Sequence, residues 1–189
     1  SITIPEGVES IEFAMFYMAT SLQTITFAEN SSPTSIGSAG FNGATALTSI
    51  EIPESVTNIG TYAFYQARSL TEITFADNSL LNSIGSNAFY NTSALTEIDI
   101  PEGVTSIGSY AFKKALALTS IITPEGVTSI GAGAFDTCTA LTSINIPEGV
   151  TSIGTWTFGN ANKLPSIEIP DSVTSIPDYA FSGCVELSS

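Results

Sequence analysis

Histidine is missing from the 189 residues altogether. With it go the commonest general base and the commonest metal ligand, and no Ser/His/Asp or Cys/His catalytic set is available. Positive charge is almost as scarce. Four Lys and Arg face 18 Asp and Glu, for a net charge of −14. Nucleic acid and anionic lipid are gripped by neutralising phosphates with Lys and Arg, so both are set aside as partners. No apolar run approaches the roughly 18 residues that a membrane-spanning helix needs, which argues against direct membrane insertion. The chain opens on a strand pattern, Ser1-Ile2-Thr3-Ile4-Pro5, rather than on a secretory leader. What remains is apolar and acidic. A hydrophobic fraction of 43% excludes a disordered chain, and the acidic surface suits basic protein partners or cations.

Alignment on one leucine reveals the organisation. Leu22, Leu47, Leu70, Leu95, Leu118, Leu141, Leu164 and Leu187 recur at intervals of 25, 23, 25, 23, 23, 23 and 23 residues. A fixed period of this length with this leucine and isoleucine spacing marks a leucine-rich-repeat array. The chain divides into a partial repeat (1–21), repeats 22–46, 47–69, 70–94, 95–117, 118–140, 141–163 and 164–186, and the start of another (187–189), all in one domain. Within a repeat, Leu95-Thr96-Glu97-Ile98-Asp99-Ile100 alternates like a short half-buried strand. A Pro-Glu-Gly turn follows, as at Pro147 to Gly149, and returns Val150 and Ile153 to the core. The last piece, around Ala111-Phe112, reads as a helical turn on the opposite side. Phe16, Phe41, Phe64, Phe89, Phe112, Phe135, Phe158 and Phe181 share that phase and predict a continuous interior stack. Both 25-residue repeats insert two residues near Phe27-Ala28-Glu29-Asn30 and Phe75-Ala76-Asp77-Asn78, an insertion that a surface loop absorbs.

The motif of Ile-Pro, Val-Thr-Ser-Ile-Gly, Ala-Phe and Leu, carried nearly complete by five repeats, resembles the BspA-like, or Treponema pallidum-type, leucine-rich repeats. The resemblance covers nearly the whole chain. It implies an α/β repeat fold: a right-handed solenoid of about eight coils, with a parallel sheet on the concave face and helical turns on the convex one. It also implies a secreted or cell-surface protein that acts in adhesion. Departures from the motif are few. Ile121-Ile122-Thr123-Pro124 puts Thr inward and Ile outward, and Pro165 and Pro177 interrupt the last full repeat. Neither end carries a polar cap, which predicts a piece of a longer array or stacking on another chain.

Several candidate surfaces emerge. On the concave strands, Glu51, Glu72, Thr74, Glu97, Asp99, Asn145 and Glu168 point outward as candidate ligand contacts, with the patch at Glu51, Glu72, Glu97 and Asp99 foremost. One carboxylate per coil, at Glu6, Glu29, Glu54, Asp77, Glu102, Glu125, Glu148 and Asp171, forms an acidic ladder. Neighbours about 5 Å apart in water repel by about 0.8 kcal/mol. Either each side chain meets the turn backbone or solvent, or the ladder gathers Ca²⁺ or a basic partner. Tyr62, Tyr110, Trp156 and Tyr179 precede the Ala-Phe position, where they either cover the adjacent coil or stack on a ligand. Cys138 and Cys184 share one phase two coils apart, about 10 Å, beyond the reach of a disulfide. Both are read as buried structural thiols. Thr57, Thr105, Thr128, Thr151 and Thr174 form another ladder, too sparse and too acidic in its setting to bind ice.

Taken together, the sequence predicts no enzyme and no resident cofactor or metal, Ca²⁺ being the one ion considered. The expected role is an interaction or adhesion module whose partner is a protein or glycan, favoured when basic. The alternative is a structural block that self-associates.

Overall fold

The computed structural model describes residues 1–188. Three stacks of backbone hydrogen bonds join each coil to its neighbours. The leucine-isoleucine stretches make the first, a parallel set of short strands: β1 (Ile2–Ile4), β2 (Ile25–Phe27), β4 (Ser49–Ile52), β6 (Glu72–Phe75), β8 (Glu97–Asp99), β10 (Ser120–Ile122) and β12 (Ser143–Ile144). Alternation decides their two faces: Ile50, Ile73, Ile98 and Ile121 are buried, whereas Glu51, Glu72, Glu97 and Asp99 are exposed. The register follows the repeat phase, pairing Ile50 with Ile73 and Ile98 with Ile121.

The second stack is a six-stranded parallel sheet built of two-residue strands. These are β3 (Ser35–Ile36), β5 (Asn58–Ile59), β7 (Ser83–Ile84), β9 (Ser106–Ile107), β11 (Ser129–Ile130) and β13 (Ser152–Ile153). It has more strands than any other sheet among the described residues, and it is formed by a segment that the sequence reading assigned to a turn. The glycine after each of these strands lets coils meet backbone to backbone. A Cβ at Gly108 would stand 2.5 Å from the Ser86 nitrogen, and one at Gly154 would stand 2.3 Å from that of Ala132.

The third stack corrects the expectation of helical turns. No helix occurs among the described residues, so the fold is a parallel β-solenoid of about seven turns and not an α/β repeat. The segments around Ala-Phe are consecutive turns, as in the coil carrying Phe64. Ala63 donates to the Gly60 carbonyl and Ala67 to that of Phe64, while the third residues of those turns, Tyr62 and Gln66, sit at φ +58°. Positive φ in that place is the signature of a type II turn. The amides of Tyr62, Phe64 and Gln66 point along the solenoid to the carbonyls of Ser86, Ala88 and Tyr90. Geometry explains why this arrangement beats a helix. A helix is about 10–12 Å wide with its side chains, twice the roughly 4.8 Å between stacked coils. A chain of turns is thin enough to stack at that spacing, and its inter-coil bonds offset the left-handed residues, each of which costs about 1–2 kcal/mol.

The eight phenylalanines form the expected column, ring on ring, with centroids 5.1 Å (Phe41–Phe64) to 5.7 Å (Phe135–Phe158) apart and planes within 16° of parallel. Phe41 through Phe158 are fully buried. The two strand ladders stop short of the last coil for a chemical reason, while the turn stack continues into it through Phe158 to Ala180 and Asn160 to Ser182. Thr142 donates its amide to Thr119, and Gly154 donates its amide to Ile130. Pro165 and Pro177 hold those two phases in the next coil, and proline has no amide hydrogen to give.

Candidate functional site

The two 25-residue coils shape the strand face. In the second of them, Ala76 to Asn82 replaces the tight Pro-Glu-Gly turn with a longer loop, and Leu81 still drops into the core column occupied elsewhere by Val56 and Val104. The loop is pinned to the preceding coil: the amides of Ala76, Leu80 and Asn82 donate to the carbonyls of Ile52, Glu54 and Thr57. Its bulge walls a groove of about 890 Å³ whose lining includes Glu72, Thr74, Asp77, Glu97, Asp99 and Glu102. The first loop, Ala28 to Thr34, walls a second groove of about 590 Å³, lined by Phe27, Glu29, Glu51, Pro53, Glu54 and the tip residue Leu80 of the other loop.

The structure thus brings Glu72, Thr74, Glu97 and Asp99 into one groove and Glu51 into the other. Glu168 is exposed but lines neither. Asn145 serves the backbone instead. Its amide nitrogen donates to the Thr123 carbonyl at 2.8 Å, and its oxygen accepts from the Thr123 amide at 2.9 Å. That side chain replaces the strand pairing lost beside the inverted Ile122-Thr123. Thr123 is buried as expected, with its hydroxyl unpartnered, and Ile122 is 61% exposed.

All eight carboxylates of the acidic ladder are exposed. Only Glu6 takes a side-chain hydrogen bond among the described residues, from Asn30 of the next coil. No group of three or more carboxylates converges to hold a metal ion among the described residues. The ladder therefore supplies an extended field of negative charge. Thirteen of the 18 acidic residues lie on the strands and the turns that follow them; only Glu9, Glu12, Asp136, Asp178 and Glu186 lie elsewhere. The four basic residues, Arg68, Lys113, Lys114 and Lys163, all fall in the Ala-Phe turn segments on the other side.

That other side contains a polar cluster that the sequence reading overlooked. Asp136 is buried and takes the Lys113 ammonium at 2.7 Å, the Thr137 hydroxyl at 2.9 Å and the Asn160 amide at 3.1 Å, so three coils are tied through one carboxylate. The carboxylate holds the Lys113 ammonium above the ordinary lysine range, against the opposing pull of burial. The signal was present in the phase after Phe, where Tyr65 and Tyr90 give way to Lys113 and then Asp136. The candidate aromatics Tyr62, Tyr110, Trp156 and Tyr179 all remain exposed, although each packs one side against a neighbour. Trp156 and Tyr179 stack at 4.8 Å with planes 12° apart, and Tyr110 lies over Gly133, whose missing side chain makes room for the ring. Cys138 and Cys184 are both free. Cys138 is fully buried and donates to the Phe112 carbonyl, and burial pushes its thiol up to about 12. Thr57, Thr105 and Thr128 spend their hydroxyls on carbonyls of the preceding coil.

Parallel ladders, a leucine phase of 23 to 25 residues and an outward polar strand face define the class: a leucine-rich-repeat solenoid. The chain belongs to the BspA type leucine rich repeat region family, whose model matches residues 1–118 and 105–189. Among solved structures, a leucine-rich repeat protein from Bacteroides ovatus is 32% identical over 98% of the chain with a TM-score of 0.78. A leucine rich cell surface protein from Faecalibacterium prausnitzii is 29% identical over 98% of the chain, with a TM-score of 0.55. The T. pallidum leucine rich repeat protein shares the fold at 22% identity over the same 98%, with a TM-score of 0.61. The chain spans 44%, 64% and 71% of these three proteins, in that order. No curated protein matches it in sequence.

Proposed function

We propose that the chain is a non-catalytic interaction module of a secreted or cell-surface protein, and that its strand face docks a basic polypeptide in adhesion. One observation carries the reading: the segregation of charge. The strand face and its turns present thirteen carboxylates and no Lys or Arg. Such a field draws a cationic partner in and orients it, and like-signed partners are repelled. Solenoids commonly bind through an extended sheet face, and the two loops here give that face relief. The relative described as a cell surface protein supports the location. A glycan partner has less behind it, because no Tyr or Trp ring that would stack on a sugar lines either groove of the strand face.

The test is a binding screen of the immobilised chain against basic and acidic matrix proteins and a glycan array, with salt titrated. Saturable binding of basic proteins, weakened by salt and lost in the double variant Glu72→Lys, Glu97→Lys, supports the reading. Equal binding of acidic proteins, or glycan binding that survives the double variant, overturns it.

A further inference from the structure

The two inserted loops leave the core phase untouched and change only the surface, so their effect is confined to what approaches the strand face. Leu81 and Pro33 fill the buried column that valine fills elsewhere. Leu80, by contrast, is left 58% exposed at the loop tip and lines the groove beside the first loop. The lining of that groove combines the apolar Leu80, Phe27, Ala28 and Pro53 with the carboxylates of Glu29, Glu51 and Glu54. Its wall also holds Ser31, whose hydroxyl is buried without a partner. The loop backbone is held by three bonds to the preceding coil, so Leu80 is presented on a fixed support. An exposed leucine that shares a groove with carboxylates costs solubility and contributes nothing to the core.

We infer that this groove is the specificity element of the strand face: it seats one extended cationic segment whose groove-facing side chains, two residues apart in sequence, alternate between Lys or Arg and an apolar residue. The inference rests on the docking reading above and adds which basic segments are chosen. The cationic heads lie over Glu29, Glu51 and Glu54, where their charge is complemented. An apolar side chain enters against Leu80, Phe27 and Pro53, where its removal from water adds to the charge attraction. Side chains of an extended chain alternate in direction every residue, so one face of the segment meets the groove and the other meets solvent. The segment of this chemistry is separated from a plain polycation by shape and apolar contact, since both carry the charge that the acidic field attracts.

Two labelled probes separate the claims: a decamer of lysine, and a decamer in which every second lysine on the groove-facing side is leucine. The variant replaces Phe75–Asn82 with the six residues Ile-Pro-Glu-Gly-Val-Thr, the segment that stands at 100–105 in this chain. That exchange removes the loop and Leu80, keeps one carboxylate for one, and installs a turn the fold already uses. A second variant, Leu80→Ser, removes only the apolar tip. The expected result is that the mixed decamer binds the native chain at least tenfold more tightly than decalysine. Both variants should lose that preference and bind decalysine as before, with melting temperatures close to native. A native chain that binds both decamers equally, or variants that retain the preference, overturns the inference and leaves the docking reading standing. A native chain that binds neither overturns both.

Discussion

The turn face and the strand face of this solenoid treat their charged residues in opposite ways. On the turn face, departures from the repeat find partners in neighbouring coils: Lys113 with Asp136, Asp136 with Asn160, Trp156 with Tyr179. On the strand face, Glu51, Glu72, Glu97 and Asp99 stand exposed with no side-chain hydrogen bond among the described residues, although each lies near further carboxylates. These turn-face residues are satisfied by the molecule itself, whereas the interior keeps an orphan in the Thr123 hydroxyl. Strand-face carboxylates are satisfied by solvent, and a partner would find them unengaged. The comparison implies that substitutions on the first side register as stability and those on the second as binding.

The largest effect belongs to the interior column against which both faces pack. Phe112→Ala opens a gap midway along the ring stack, between Phe89 and Phe135, and costs about 4 kcal/mol. Each coil touches only its neighbours, so the loss also uncouples the two halves. Denaturant unfolding followed by fluorescence and circular dichroism should lose its single coincident transition. One sharp transition at the native midpoint would mean that the stack is dispensable.

Next in size is an alkaline effect. Burial raises the Cys138 thiol from an ordinary 9.0 to about 12, so the unfolded chain gives up that proton first. The thiol's contribution is intact below the ordinary cysteine range and drains away as pH rises through it, by about 1.4 kcal/mol per pH unit. Lys113, also raised, adds loss in the same direction, but only above its ordinary 10.5. Between pH 9 and 10.5 the native chain should therefore lose stability that Cys138→Ala keeps. Alanine fits, since Ala115 and Ala161 hold the same phase fully buried in adjacent coils. Parallel pH curves for the two proteins would show that this thiol ionises no less easily than in the unfolded chain.

A smaller gain is expected where strand face and core meet. The buried Thr123 hydroxyl has no partner, and Thr123→Val removes it at constant shape. An orphaned buried polar group costs about 1–3 kcal/mol, so the variant should melt higher by about 1 kcal/mol of stability. A lower melting temperature would mean that the hydroxyl is satisfied by a group such as an internal water.

How much of this was legible in the sequence follows from what a repeat displays. The Phe, Leu and Ile columns were readable because one residue type returns at one phase, and the buried face of each strand followed from simple alternation. The turn stack was misread as helical because Ala-Phe segments share composition with a helix. What rules out a helix is the spacing between coils, a property of the stacked array that no single repeat displays. The acidic face was legible as a pattern, but the grooves were not, since an insertion of two residues shows its position and hides the wall it builds. Asp136 was missed for the converse reason. A residue that occurs once in its phase looks like loop filler until its partner one coil back, Lys113, is seen beside it. Asn145 looked like an outward contact because its role depends on the inverted Thr123 of the preceding coil.

The smallest expected effect on stability is the sharpest test of the contrast between faces. Replacing Glu72 and Glu97 with lysine reverses two charges on the exposed side of β6 and β8, away from every buried group. Like charges one coil apart repel by about 0.8 kcal/mol in water, and the two new ammonium groups would still repel each other. They would also sit among Glu51, Asp77, Asp99 and Glu102, which attract them. The two contributions oppose each other, and surface substitutions of this kind usually stay within about 0.5 kcal/mol. Chemical unfolding of the double variant should therefore match the native curve while binding of basic proteins is lost. If unfolding shifts by several kcal/mol instead, these carboxylates belong to the scaffold, and the division of labour between the two faces fails at the residues on which it most depends.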